Sequence, residues 1–134
     1  DECGLGLSQV RTSETQGFAG LVTLRTRTTR ASRELSGAII RGQPHILRID
    51  GYWLDFVPQG HFLVEEHLDR PGIVGQMGTL LGGAGVNISF VQLGRETKGG
   101  VAVMVLRLDE AVEAKLISRI EAMPDIRAAY AINL

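Results

Sequence analysis

From Ile73 the apolar residues fall at positions 73, 77, 80, 81 and 84, the spacing of a helix with one buried face. The segments around it follow the same logic. Residues 62–67 read as a strand leading into that helix, residues 71–84. Val86-Asn87-Ile88-Ser89-Phe90 then alternates as the start of a strand over 86–94. Residues 96–100 (Glu-Thr-Lys-Gly-Gly) form a polar hairpin turn, and 101–108 is apolar almost throughout, as a strand in the middle of a sheet should be. Val112, Leu116, Ile120 and Met123 give a second amphipathic helix, stopped at Pro124. A last strand follows, in which Ile126, Ala128, Tyr130, Ile132 and Leu134 alternate. The order βαββαβ predicts a ferredoxin-like split βαβ unit with both helices on one face. Right-handed crossovers place the strands at 86–94 and 126–134 on its two edges.

The first half has a different rhythm. Residues 18–28 are rich in β-branched side chains and read as a strand. Residues 35–41 read as another, ended by Gly42-Gln43-Pro44. Two short strands, 46–49 and 52–57, flank Asp50-Gly51, a strong hairpin signal. Pro58-Gln59-Gly60 breaks the pattern. The residues before position 18 hold few apolar anchors (Leu5, Leu7 and Val10) and read as a frayed element and a loop. The expected class is therefore α+β: a small mainly-β segment at 1–60, lacking part of its core, ahead of the βαββαβ domain at 61–134.

The helix at 71–84 has informative ends. Asp69 stands where an N-cap belongs and Pro71 falls in the first turn, where its missing N–H costs nothing. Gly85 reads as the residue closing the helix. Its interior is loaded with glycine at 72, 75, 78, 82 and 83, each costing up to about 1 kcal/mol relative to alanine. At 100° per residue, Gly75, Gly78 and Gly82 share a flank beside the apolar face. Two readings stay open: the helix is tucked tightly on its own sheet, or a partner or ligand approaches that flank.

Composition excludes more than it selects. The chain has 134 residues, 44% hydrophobic and 22% charged, with a formal net charge of −1. That balance suggests neither nucleic acid nor an anionic membrane as a partner. No apolar run is long enough to span a bilayer, and no signal peptide is evident. A single cysteine, Cys3, excludes an internal disulfide and fits a reducing cytoplasm. The start at Asp-Glu-Cys without methionine suggests a piece of a longer polypeptide.

A search for catalytic chemistry returns nothing. His45, His61 and His67 are scattered, and no Cys or His lies at metal-ligand spacing. There is no G-x-G-x-x-G after a strand, no G-K-[ST] and no G-x-S-x-G. The expectation is that this chain carries no catalytic residue, metal or cofactor of its own, and that neither His61 nor Cys3 has a chemical role. A small-ligand site at the turn before the first helix remains. Backbone N–H groups at Gly72 and Ile73 suit a carboxylate, and Asp69 beside them suits an ammonium. Asn87, read as lying at the same end of the sheet, offers both donor and acceptor. The plainer alternative is that Asp69 only caps the helix and Asn87 only closes a turn. Arginine is concentrated in residues 1–60, with seven arginines, no lysine and six acids. Arg25 and Arg27 alternate onto one strand face. These arginines form either an anion site or, as we favour, a solvated face.

The run HLDRPGIVGQMGTLLGGAGVNISFVQLGR, preceded by ILRIDGYWLDFVPQGH, resembles the C-terminal regulatory region of bacterial long-form D-3-phosphoglycerate dehydrogenases. In that family an intervening allosteric domain precedes an ACT domain. The resemblance implies that L-serine, a feedback inhibitor, is held by His67, Asp69 and Asn87, the last from a neighbouring subunit. It also implies a cytoplasmic homodimer or higher homo-oligomer, paired through the edge strand at 86–93. That strand is long, apolar and free of blunting proline or lysine. NAD and the active site would belong to the rest of the parent enzyme. Position 69 is asparagine in some relatives and position 67 aromatic in others. The intervening domain of that family is thought to bind substrate-like anions, but the basic positions expected near His45 and Val57 are not clearly matched here, which favours the solvated face. The regulatory portion of an iron–sulfur L-serine dehydratase, or a ligand-free oligomerisation module, are the alternatives.

Overall fold

The computed structural model describes the backbone of residues 6–15, 18–27 and 32–134, with side chains at 21–25 and 32–134. These fall into two compact units, Asp1–Pro58 and Gln59–Leu134. Among the described residues there are nine strands and two helices.

The first unit is one antiparallel sheet of five strands in sequence order. Its strands are β1 (Gly6–Thr15), β2 (Phe18–Arg27), β3 (Ser32–Ile40), β4 (Gln43–Ile49) and β5 (Tyr52–Phe56). β1 corrects the expectation of a frayed segment there. It pairs with β2 from Gly6↔Arg27 to Thr15↔Phe18. Asp50 and Gly51 both have positive φ, 49° and 91°, the two-residue turn that the right-handed twist of a hairpin requires. Arg41 and Gly42 repeat that geometry at 49° and 79°. β4 consequently starts at Gln43, three residues earlier than its sequence suggests. Leu21, Ala38 and Leu47 form a small buried cluster with Ile40 packed against it. Thr23 Oγ1 and Ser36 Oγ, 2.9 Å apart, satisfy each other across β2 and β3.

The second unit has the expected βαββαβ order. Its elements are β6 (His61–Leu68), α1 (Ile73–Gly83), β7 (Ile88–Arg95), β8 (Val101–Leu108), α2 (Ala114–Glu121) and β9 (Ile126–Asn133). The sheet order is β7-β8-β6-β9, so β7 and β9 are the edges, as the crossover rule requires. Both helices pack on one face. Ile73, Met77 and Leu81 of α1 and Leu116 and Ile120 of α2 close over Leu63, Met104, Leu106, Leu108 and Ala129. Burying each large side chain stabilises the unit by about 1.5–3 kcal/mol.

The ends of α1 differ from each other. At its C-terminus Gly85 has φ 76°, Val86 N bonds Leu81 O and Gly85 N bonds Gly82 O, both at 3.0 Å. This is the paired closure that glycine permits. At its N-terminus the cap is Gly72, with φ 96° and no side-chain cap bond. Asp69 is therefore not the N-cap. The left-handed turn at Gly72 starts the helix three residues later than a cap at Asp69 would, and the aspartate is free for other contacts.

The glycine flank is not explained by close packing on the sheet. A Cβ built at Gly75, Gly78 or Gly82 would meet nothing within 4 Å. Gly78→Ala should therefore stabilise the chain by up to about 1 kcal/mol in urea unfolding, the helix-propensity gain alone. Gly85→Ala should cost about 1–2 kcal/mol, because a Cβ is strained at that φ. A loss of stability in Gly78→Ala would show that a second molecule sits on the flank.

Candidate functional site

The turn between β6 and α1 is built from strand alternation and one glycine. β6 is hydrogen-bonded on both sides, to β8 and to β9. Leu68 N bonds Asp125 O at 2.9 Å and Asp69 N bonds Gly100 O at 2.8 Å, which carries the ladder into the turn. Beyond it, Pro71 and Gly72 bring the chain to the first N–H groups of α1, which have no intrahelical partner. Gly72 is the N-cap and Ile73 the first helical residue, so the Ile73 N–H is the first of these groups.

Asp69 is drawn toward the hairpin between β7 and β8. Its Oδ2 accepts from Arg95 Nη1 at 2.6 Å and from the Gly99 N–H at 3.2 Å. The Arg95 hydrogen bond, with Gly99 second, holds the carboxyl below its usual range. Alongside, Arg70 Nε lies 3.4 Å from Asp125 Oδ1. The turn therefore carries a carboxylate whose charge is matched by one arginine.

His67 is not at the surface. It shares the inward face of β6 with Leu63 and Glu65, and its side chain is 1% exposed and that of Glu65 0%. Nδ1 lies 2.9 Å from Glu65 Oε1 and 3.0 Å from Oε2, the second aligned as a hydrogen bond. Nε2 is buried with no partner. Burial raises the Glu65 carboxyl above its ordinary range, only partly offset by the imidazole. The signal was available in the sequence, since an acid and a histidine two residues apart on an inward-facing strand must meet.

Asn87 lies elsewhere within the chain, which corrects the sequence reading. Its Nδ2 donates to Asp109 Oδ2 at 2.7 Å, its N–H reaches Glu110 Oε2 at 3.2 Å, and its carbonyl accepts from Asp109 N at 3.1 Å. Leu68 pairs with Val101 and His61 with Leu108. Asn87 beside Asp109 and Asp69 beside Gly100 thus stand at opposite ends of the sheet. The strand between them spans roughly 25 Å at about 3.3 Å per residue. The helix turns the chain back, so the next strand enters where β6 began.

Two other features complete the surroundings. A groove of about 700 Å³ runs along α1 past Gly75, Thr79 and Gly83 to Arg119 and Met123 of the α2 region. Among the described residues the outer edge of β7 has no strand neighbour, and Val91 on it is 43% exposed. Among the remaining candidates, His61 Nδ1 is 2.8 Å from Asn133 Oδ1 and His45 Nδ1 is 2.6 Å from Asp55 Oδ1. Arg25 pairs with Glu34 and Arg33 with Asp50, each at 2.5 Å, as on a solvated face. Arg27 and Cys3 lie outside the described side chains. Among the described residues no group of His, Cys, Asp and Glu could hold a metal ion, and no helix is long and apolar enough to cross a membrane.

The fold and the D-R-P-G turn define an ACT domain: the profile of that family matches residues 62–125, and the second unit belongs to it. ACT domains bind amino acids and oligomerise. Nearly the whole chain is moreover similar to D-3-phosphoglycerate dehydrogenases. It is 37% identical to that of Methanocaldococcus jannaschii over 123 residues, 92% of this chain and 23% of the relative. It is 31% identical to that of Bacillus subtilis over 137 residues, 99% of this chain and 26% of the relative. The Mycobacterium tuberculosis enzyme is 39% identical over 89 residues, 66% of this chain and 17% of the relative. The chain thus spans about a quarter of the length of the first two relatives, consistent with the C-terminal regulatory region of these enzymes.

Arg95→Ala should raise the Asp69 pKa toward the ordinary carboxylate value, read by carbon NMR of the side-chain carboxyl through an acid titration. Because Asp69 is depressed in the folded chain, its favourable contribution is present above the unfolded pKa and lost as pH falls through the folded one. The variant should show less of that acid-side loss than the parent chain.

Proposed function

We propose that this chain is the effector-binding region of a D-3-phosphoglycerate dehydrogenase and that it binds L-serine between two copies of its ACT domain. The observation that carries this reading is the separation of Asp69 from Asn87, with β7, the edge strand of its sheet among the described residues, running between their two ends. Antiparallel pairing of β7 with the same strand of a second copy, about its centre, would bring Ile88 of one copy opposite Arg95 of the other. The copy's Asn87 would then approach the Asp69 turn. The two halves of the site meet only in such a pair, and the four-stranded sheets join into one of eight.

In that arrangement the ligand carboxylate meets the N–H groups of Gly72 and Ile73 and the amide of the copy's Asn87. Its ammonium meets Asp69, competing with Arg95, and its hydroxyl meets His67. Each charge-assisted contact contributes about 1.5–3 kcal/mol when its partner is buried. Since the ligand touches both chains, it favours the closed pairing over the open one, and that difference is the regulatory signal. The names of the relatives support serine synthesis as the setting. NAD, the active site and a cytoplasmic location follow for the rest of such an enzyme, and the first unit would be its intervening allosteric domain.

Calorimetry with L-serine, D-serine and glycine tests the site. L-Serine should bind more tightly than its enantiomer, and the sedimentation coefficient should correspond to a dimer that L-serine stabilises. Equal binding of both enantiomers would contradict the assignment. A chain monomeric at tens of micromolar, on the order of ordinary subunit affinities, would contradict the shared site. A stable dimer that binds none of the three amino acids would make the domain an oligomerisation module.

A further inference from the structure

The core beneath the turn holds a pair of ionisable groups that the contacts above do not require. Glu65 and His67 are both buried on the helix-covered face of β6. Their cross-strand neighbours are Met104 and Ala102 on β8 and Ala129 and Ile126 on β9. The helices above contribute Ile73, Met77, Leu116 and Ile120, so none of these residues ionises. Glu66 is the adjacent residue of the strand and alternates to its other face. Asp69 is held by Arg95, and Asp125 in the turn before β9 faces Arg70. Among the described residues Glu65 is the acid hydrogen-bonded to the imidazole, and Asp69, though held by Arg95, also senses the charge of His67.

Two facts give the pair a direction. With Nδ1 committed to Glu65, Nε2 faces away from that carboxylate, because the two ring nitrogens point in nearly opposite directions. Nε2 is also buried without a hydrogen-bond partner, a condition that native interiors rarely leave unexplained. Glu65 Oε1 is likewise buried without a hydrogen-bond partner. When the pair carries one proton it is neutral overall, and the imidazolium form presents at Nε2 an N–H with no acceptor among the described residues.

We infer that Glu65 is a positioning residue that holds His67 as a donor at Nε2, so that an oxygen of the bound amino acid completes the pair and binding takes up a proton. This rests on the reading that the effector occupies the turn. The sign follows from linkage. An acceptor at Nε2 stabilises the protonated pair, so the bound pair keeps its proton to higher pH than the free pair. Affinity therefore falls as pH rises above the point at which the free pair loses its proton, by up to about tenfold per pH unit. A histidine acting only as packing would give no such slope.

The experiment is titration calorimetry of the 134-residue chain with L-serine at several pH values, in two buffers of different ionisation enthalpy. The parent chain should take up on the order of half a proton on binding over part of the range. Glu65→Gln keeps the shape and a hydrogen-bonding oxygen but removes the carboxylate. It should bind about tenfold more weakly and lose the proton uptake. Nitrogen NMR of the His67 ring in the free chain should show Nδ1 protonated in the parent and its signal moved in the variant. Binding without proton uptake in the parent chain overturns this inference alone and needs no variant. So does a Glu65→Gln chain whose affinity and uptake are unchanged. A parent chain that binds no L-serine overturns the effector site, and the coupling with it.

Discussion

The double-sided ladder of β6 is the constraint on which the rest depends. Because β8 and β9 hold it from both sides, its side chains have no freedom to change face. Leu63, Glu65 and His67 are committed to the core under the helices. At its end, the ladder hands the chain to Asp69 and then to Gly72, whose left-handed φ sets where α1 begins. Interior packing, the buried Glu65–His67 pair and the partly exposed Asp69 carboxylate are thus spaced along seven residues of one strand and its turn. A one-residue slip would exchange the faces and expose the pair.

The strand geometry also explains why a single chain holds only half of a site. α1 returns the chain to the end of the sheet where β6 began, so β7 starts far from the turn and finishes beside it. Arg95, at the finishing end, reaches Asp69; Asn87, at the starting end, is tied to Asp109. A largely apolar strand at the edge of its sheet along this distance is a natural joint for a second copy. The empty surface along Gly75, Gly78 and Gly82 is a separate matter, since it flanks the helix and not the edge strand.

Much of the second unit was legible because its periods are clean. The apolar spacing at 73, 77, 80 and 81 and at 112, 116 and 120 can only be helical, and the run 101–108 can only be a central strand. β1 was illegible for the opposite reason: Leu7 and Val10 are too few to show alternation. Asp69 was misjudged as a cap because side-chain propensity is local, whereas Gly72 decides the helix start through a positive φ. Asn87 was placed at the wrong end because proximity in sequence says nothing about direction once a helix intervenes. His67 and Glu65 share one face of their strand by the alternation rule alone.

The central claim is that one site draws residues from two chains, and mixing two defective chains tests it most directly. Asp69→Ala and Asn87→Ala should each bind L-serine poorly by themselves. Unfolding and refolding an equal mixture should form hybrid dimers, in which Asp69 from one chain meets Asn87 from the other. The account predicts that calorimetry then finds one restored site per hybrid dimer, with close to the affinity of the parent chain. A mixture that binds no better than either variant alone, while hybrid dimers are present by native mass spectrometry, would contradict it.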